Sequence, residues 1–319
     1  MNVLITGING FAGSHLAKYL LGLRDVRVYG TVRKRSDLSG LSAIKNKIRL
    51  IYCDLDDRKS VKRALQLSRP DRIYHLAALS YVPDSWKDPA GTLSSNLGGQ
   101  IAIFESLREL GIKPRVLIAG SSEEYGKVKA FEIPVKETQE LRPLSPYGVS
   151  KVGQDLLGYQ YCQSYKIPVI RTRAFSHTGP GQKEVFAASH FAREIALMEA
   201  GKKKPVLLVG NLEARKDYSD VRDISRAYWL ALEKGEPGEV YNICSGRGRK
   251  MKEILDILLG YSKISIKVQS DPSRMRPSDV PLLVGDASKF RRRTGWTPKI
   301  PIEKTLLDLL NDWRGRVRD

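Results

Sequence analysis

The chain has 319 residues, 41% hydrophobic and 28% charged, a balance found in globular proteins and enough for one large domain or two modest ones. No apolar run reaches the length of a membrane span and Met1 leads straight into the strand-like Val3-Leu4-Ile5, so no membrane anchor or secretory leader is expected and the chain reads as cytoplasmic. Cys53, Cys162 and Cys244 are isolated, the four histidines lack ligand spacing, and the formal charge of +19 is dispersed in runs of at most three; this argues against a disulfide framework, a metal site or nucleic-acid binding, and for small polyanionic ligands.

Residues 2–6 read as a short buried strand, followed by Gly7-Ile8-Asn9-Gly10-Phe11-Ala12-Gly13 and a helical pattern through Leu21. Such a strand, turn and helix form a phosphate-binding unit: Gly7, Gly10 and Gly13 permit a tight turn and close backbone approach, and the helix N-terminus faces a pyrophosphate. Further strands are expected at 26–31, 48–53, 72–76 and 115–119, with helices near 57–67 and 92–110 between them. That alternation predicts an α/β fold, a parallel sheet covered by helices on both faces. After the second strand the chain reads Val32-Arg33-Lys34-Arg35. A carboxylate there would hold a ribose 2′-hydroxyl, whereas Arg33 and Lys34 suit a 2′-phosphate, so NADP(H) is the expected cofactor. Asp54-Leu55 past the third strand is placed to bracket the adenine, and Ala77-Ala78 past the fourth to leave room for the cofactor's ribose.

The stretch Ser145-Pro146-Tyr147-Gly148-Val149-Ser150-Lys151 sets a phenol and an ammonium four residues apart, on one face of a helix. A neighbouring cation pulls the phenol down from its ordinary value of about 10, toward the range where proton transfer is efficient. Beyond it, strands at 168–173 and 239–243 continue the β pattern, and helices are expected near 186–200, 221–234, 250–260 and 302–313. The Pro-rich turns of 270–281 and the short helices around them are expected to form a smaller lobe over the sheet's carboxyl edge. The expected division is a dinucleotide-binding domain of 1–174, with 217–245 returning to it, and a substrate lobe of 175–216 and 246–319.

With the glycine turn, Asp54-Leu55, Leu76-Ala77-Ala78, Ser121 and Tyr147-x-x-x-Lys151 in order, the chain resembles the extended short-chain dehydrogenase/reductase family over its whole length. Gly120-Ser121-Ser122-Glu123-Glu124-Tyr125-Gly126, Gly210-Asn211-Leu212-Glu213-Ala214 and Arg276-Pro277-Ser278-Asp279-Val280 resemble its nucleotide-sugar branch that handles GDP-mannose. The resemblance implies a Rossmann-type doubly wound parallel sheet with a smaller C-terminal α/β lobe. It implies that Tyr147 is the acid/base, that Lys151 binds the nicotinamide ribose and lowers the phenol, and that Ser121 bonds the sugar's O4. Phe11 and His177 join the implied cofactor set, and Ser80, Ser176 and Asn211 the substrate set. Ser176 stands where the family usually has Asn, and Lys216 where it has a diphosphate-binding Arg, with Arg215 one place earlier. Arg276 is implied as a second diphosphate contact and Asp279 as a ribose contact.

Gly30-Thr31, Asp84-Ser85-Trp86 and His177-Thr178-Gly179-Pro180-Gly181-Gln182 resemble the branch's reductases more than its dehydratases. The implied reaction is NADPH-dependent reduction of the 4-keto group of GDP-4-keto-6-deoxymannose to GDP-D-rhamnose. A 4,6-dehydratase is the first alternative, since Glu123 matches the base that removes the C5 proton there and is compatible with both. A nucleotide-sugar epimerase and a non-catalytic NADP sensor are the others. Family members pair through the helix carrying Tyr147 and the helix near 92–110, so a homodimer is implied.

Overall fold

Val3, Leu4, Ile5 and Thr6 are all buried, the pattern of a central strand of a parallel sheet covered on both faces. The computed structural model describes residues 1–274 and 282–318. In it β1 (Asn2–Thr6) is flanked by β2 (Arg27–Val32) and β4 (Arg72–His75), with β3 (Arg49–Tyr52) at one edge. On the other side follow β5 (Arg115–Ser121) and β6 (Val169–Ala174). After β7 (Ser176–Thr178), β8 (Val206–Val209) and β9 (Arg215–Asp220), which lie outside this sheet, β10 (Val240–Ile243) closes its far edge. The order β10-β6-β5-β4-β1-β2-β3 is parallel throughout, so the expected doubly wound sheet is present. The direction of winding reverses between β1 and β4, and ligands of such sheets bind in the crevice at the carboxyl ends of these strands.

The period-two geometry of a strand sends alternate residues to opposite faces. Val3 and Ile5 join one apolar cluster with α1 (Phe11–Leu21), and Leu4 joins another with α2 (Arg58–Ser68). The short α3 (Val82–Lys87) leads into α4 (Pro89–Leu110), which packs beside α5 (Pro146–Tyr165) on the second face. A third apolar cluster lies apart from the sheet. It joins α6 (Ala187–Glu199) to α8 (Met251–Gly260) and α10 (Ile302–Arg318) through Phe191, Ile195, Leu255, Leu258, Leu306 and Trp313. Between α6 and α8 comes α7 (Val221–Lys234), which packs on α1, and α9 (Ser288–Thr294) places Phe290 in the first cluster.

The smaller C-terminal α/β lobe was expected, but its individual strands were not located in the sequence. β9 pairs with β7, with β11 (Gly248–Lys250) and with β13 (Leu282–Leu283), while β8 pairs with β12 (Lys267–Ser270). The reason they escape notice is chemical. β9 reads Arg-Lys-Asp-Tyr-Ser-Asp, and it is tied in by the Asp217 carboxylate, which accepts from the amides of Ser245 at 2.8 Å and Gly246 at 2.8 Å rather than by an apolar face. Among the described residues no helix is long and apolar enough to cross a membrane, and no cluster of three His, Cys, Asp or Glu could hold a metal.

Candidate active site

The turn after β1 is shaped by contacts that exclude a side chain. Gly7 has φ +69°, and a Cβ there would lie 2.9 Å from Ala77 Cα; a Cβ on Gly13 would lie 2.3 Å from the Gly7 carbonyl oxygen. The Gly10 amide donates to that same oxygen at 2.9 Å. Gly10 caps α1 without a side-chain bond, and no acidic residue stands in the helix's first turn, so unsatisfied N–H groups and the positive helix end face the cleft. This tight turn, closed by backbone contacts that no side chain would tolerate, and the free helix end beside it fit a dinucleotide's pyrophosphate. Arg33 and Lys34 follow β2 exposed, and neither has an ion-pair partner among the described residues. Asp54 is exposed, its amide donating to Ser60 Oγ at 3.1 Å, and Leu55 is half-buried. Ala77 and Ala78 are half-buried, and the Ala77 amide donates to Thr6 Oγ1 at 3.3 Å. Phe11 stacks on His177 with centroids 6.0 Å apart and planes 7° apart. Burial pushes His177 below its ordinary value, so it stays a neutral ring at the cleft.

Ser121 is the last residue of β5 and accepts from the Glu123 amide at 3.2 Å, capping the turn 122–124. α5 starts beside that turn, capped by Ser145, whose Oγ accepts from the Gly148 amide at 3.0 Å, with Pro146 at its first position. The helix thereby carries Tyr147 and Lys151 under the end of β5, both buried, with the ammonium 5.8 Å from the phenol's centroid. Ser121, Glu123, Tyr147 and Lys151 are thus brought together. The electrostatics differ from the sequence expectation. Burial pushes the Tyr147 phenol well up, the Ser121 hydroxyl beside it working the other way, while burial pushes Lys151 down to about 8. The ammonium is engaged elsewhere, donating to the Ala119 carbonyl at 2.9 Å and to Gln154 Oε1 at 2.8 Å.

The expected substrate contacts are more dispersed. Ser80 is exposed, and Ser176 opens β7 opposite Tyr218 of β9. Asn211 Oδ1 accepts from the Glu213 amide at 2.9 Å. Arg215 and Lys216 point to opposite sides of β9, Arg215 exposed opposite Lys250 and Lys216 half-buried opposite Arg249. Arg276 and Asp279 lie outside the described residues.

Two polar residues near the site were missed by sequence reasoning. Asn96 is 1% exposed; its Oδ1 accepts from the Leu79 amide at 2.8 Å and its Nδ2 donates to Ser150 Oγ at 2.9 Å. Gln154 holds Lys151 and donates to the Asn96 carbonyl at 2.9 Å. The only available signal was Gln154 standing three residues after Lys151 on one helix face.

A sequence profile described as GDP-mannose 4,6 dehydratase matches residues 4–309. The chain belongs to this family. Like other members of the GDP-mannose 4,6-dehydratase family, it is an enzyme of the NAD(P)-dependent nucleotide-sugar short-chain dehydrogenase/reductase class. It is 33% identical to GDP-6-deoxy-D-mannose reductase of Pseudomonas aeruginosa, over 99% of this chain and 98% of that one. It is 30% identical to GDP-mannose 4,6 dehydratase 2 of Arabidopsis thaliana, over 97% of this chain and 86% of that one. Among solved structures it is similar to RMD from Pseudomonas aeruginosa complexed with NADPH, with TM-score 0.87, 31% identity and coverage of 99% and 100% of the two chains. UDP-glucose 4-epimerase of Thermotoga maritima gives TM-score 0.87 at 27% identity, over 99% and 100%. The family thus agrees with the nucleotide-sugar branch that the sequence resembled, and the proteins the chain is similar to include a reductase, a dehydratase and an epimerase.

Proposed function

We propose that the chain is an NADPH-dependent reductase that converts the 4-keto group of GDP-4-keto-6-deoxymannose to the alcohol of GDP-D-rhamnose. The observation that carries this reading is the placement of Tyr147: its buried phenol lies beside the Ser121 hydroxyl at the end of β5, where it can give a proton to an oxygen held there. The end-to-end similarity to the Pseudomonas reductase supports it.

When bound, NADPH supplies the hydride that adds to the sugar's C4. Tyr147 gives its phenolic proton to the O4 alkoxide, and Ser121 Oγ–H donates to the same oxygen as charge develops there, an interaction worth more in the transition state than before it. Lys151 holds the nicotinamide ribose and stabilises the phenolate left behind. Gly7, Gly10 and Gly13 receive the pyrophosphate, Arg33 and Lys34 the 2′-phosphate, Asp54 and Leu55 the adenine, and Phe11, Ala77, Ala78 and His177 line the cofactor's path. Arg215 or Lys216, with Arg276, holds the substrate's diphosphate; Ser80, Ser176, Asn211 and Asp279 complete its site. The domain division is 1–174 with 217–245 for the cofactor, and 175–216 with 246–319 for the substrate. Two copies pair through α4 and α5, whose outer faces expose Ile101, Val149, Leu156 and Tyr159.

Incubation with NADPH and the keto-sugar should oxidise NADPH, and the product's NMR spectrum should show the new C4 alcohol of the rhamnose configuration. A second reading, GDP-mannose 4,6-dehydratase, is favoured by Glu123, half-buried next to Ser121. Consumption of GDP-mannose without added NADPH, abolished by Glu123→Gln, would establish that reading and remove the first.

A further inference from the structure

Beneath Ser121 the chain buries charges that the proposed chemistry does not use. Glu124 is 0% exposed, Asp155 1%, Arg173 4% and Arg171 8%. Desolvation offsets much of the attraction inside such clusters, so stability alone is a poor reason for them. Their connections suggest another reason. Glu124 folds back on its own strand end: Oε1 accepts from the Ser121 amide at 2.7 Å, and Oε2 accepts from Arg173 Nε at 2.9 Å. Arg173 then donates through Nη2 to Asp155 Oδ2, and through Nη1 to Tyr125 Oη and the Glu137 carbonyl, both at 3.2 Å. Asp155 Oδ1 accepts from Arg171 Nη1 at 2.9 Å.

Asp155 lies one turn beyond Lys151 and two beyond Tyr147 on α5. An unbroken path of charge-assisted hydrogen bonds therefore runs from the backbone of Ser121, through two buried side chains, to the helix that carries Tyr147 and Lys151. Bonds of this kind are short, directional and roughly twice as strong as neutral ones. Room has been made for the path as well. A Cβ on Gly120 would lie 2.3 Å from Glu124 Oε1 and 2.6 Å from the Thr172 carbonyl oxygen, so the residue before Ser121 has to be glycine for the carboxylate to fold back.

We propose that Glu124 and Arg173 are positioning residues, which fix the Ser121 hydroxyl against Tyr147 and Lys151 by bonding the end of β5 to Asp155 of α5. The proposal rests on the reading of Ser121, Tyr147 and Lys151 as the proton-handling group. It asks nothing of which nucleotide sugar is bound. Ser121 is the last residue of β5, opposite Ala174 of β6, and leads immediately into a three-residue turn; the ladder and the turn hold its backbone to the sheet, and the brace adds the tie to α5. A misplacement of about 1 Å at a reacting group can cost on the order of 100-fold in rate.

The test compares the wild type, Glu124→Gln, Ser121→Ala and the double variant. Glu124→Gln keeps the size of the side chain but removes its charge and one of its two acceptor oxygens, so the bonds from the Ser121 amide and from Arg173 cannot both be made. It should lower kcat by up to about 100-fold, the scale of a misplacement of about 1 Å at a reacting group, with KM and NADPH affinity, the latter by fluorescence titration, within about 3-fold of wild type. In the Ser121→Ala background the same change should cost less than about 3-fold further, because its effect passes through a hydroxyl already gone. Additive losses in the cycle, or a kcat fall matched by the fall in NADPH affinity, would overturn the proposal. Crystal structures of the wild type and Glu124→Gln supply an arm that needs no turnover: the Ser121 Oγ to Tyr147 Oη separation should change by on the order of 1 Å, and superimposable sites would also overturn it. If the wild type reduces no keto-sugar, the functional reading fails while this arm still decides the brace. Should Glu124→Gln not accumulate as folded protein, Asp155→Asn cuts the same path from the α5 end and is expected to give the same split and the same cycle.

Discussion

Burial acts on the two central residues in opposite directions: it raises the Tyr147 phenol and lowers the Lys151 ammonium to about 8. As pH rises from neutral the first of the two to titrate is therefore Lys151, whose charge is lost through about 8, well below its ordinary 10.5. For the proposed ketone reduction, kcat/KM should fall on the alkaline side with an apparent value near 8, and the limb belongs to the lysine and not to the tyrosine. Lys151→Arg should remove that limb while lowering the plateau, because a guanidinium keeps its proton beyond pH ~12. Tyr147→Phe should lower kcat by roughly 100- to 10,000-fold, the usual range for a proton-transfer group, with NADPH binding retained. A pH-rate profile for the three proteins checks both statements, and a limb that persists in Lys151→Arg would contradict the assignment. The pairing of these residues was legible in the sequence, since four-residue spacing on a helix fixes it. The sign of the phenol's shift was not, because it depends on how deeply α5 tucks under the end of β5 and on Ala119 and Gln154 claiming the ammonium.

At the scale of elements, most strands of the main sheet announce themselves as apolar runs between helical patterns, although the edge strand β3 has no buried residue, and the glycine turn as a break between strand and helix. The lobe announces itself less. β9 is polar along its length and is held by the Asp217 carboxylate and by backbone pairing to β7, β11 and β13, so neither alternation nor hydrophobicity marks it. The buried brace from Glu124 to Asp155 was equally hidden, because charged residues separated by 49 and 18 positions meet only once β5, β6 and α5 are packed. The turn after β1 gives the clearest prediction. Gly13→Ala gains at most about 1 kcal/mol of helix propensity, but its methyl would lie 2.3 Å from the Gly7 carbonyl oxygen, and forced overpacking costs about 1–3 kcal/mol. Net destabilisation in urea and weaker NADPH binding are both expected. The loop after β2 should set the choice of cofactor. Removing Arg33 and Lys34 together as alanines should weaken NADPH on the order of 10- to 100-fold, since a bond to a charged group contributes roughly 1.5–3 kcal/mol, and leave NADH nearly unaffected. Equal losses for the two cofactors would place the 2′-phosphate elsewhere.

Across the whole molecule two features bear on the proposed pairing of chains, and they act against each other. The outer faces of α4 and α5 expose Ile101 at 38%, Val149 at 45%, Leu156 at 54% and Tyr159 at 47%, an apolar surface whose burial would favour association. The formal charge of +19 means that two copies repel. Repulsion between exposed charges is screened beyond a Debye length, which shortens from about 30 Å at 0.01 M salt to about 8 Å at 0.15 M; apolar burial is not weakened by salt in this range. Dimerisation should therefore strengthen as salt rises from 0.01 to about 0.15 M, the reverse of an interface built on opposite charges. Leu156, the most exposed of the four, should be central. Leu156→Asp places a charge in the buried patch of each protomer, opposed across the two-fold, and should weaken the dimer by at least about 2 kcal/mol, or roughly 30-fold in Kd. The residue faces away from Tyr147 and Lys151, which are buried on the opposite side of α5, so NADPH affinity should hold while the assembly falls apart. Sedimentation velocity at two salt concentrations, for both proteins, distinguishes the cases: a wild type that dissociates as salt rises would show the interface to be ionic, and an unaltered Leu156→Asp dimer would show it to lie on another face.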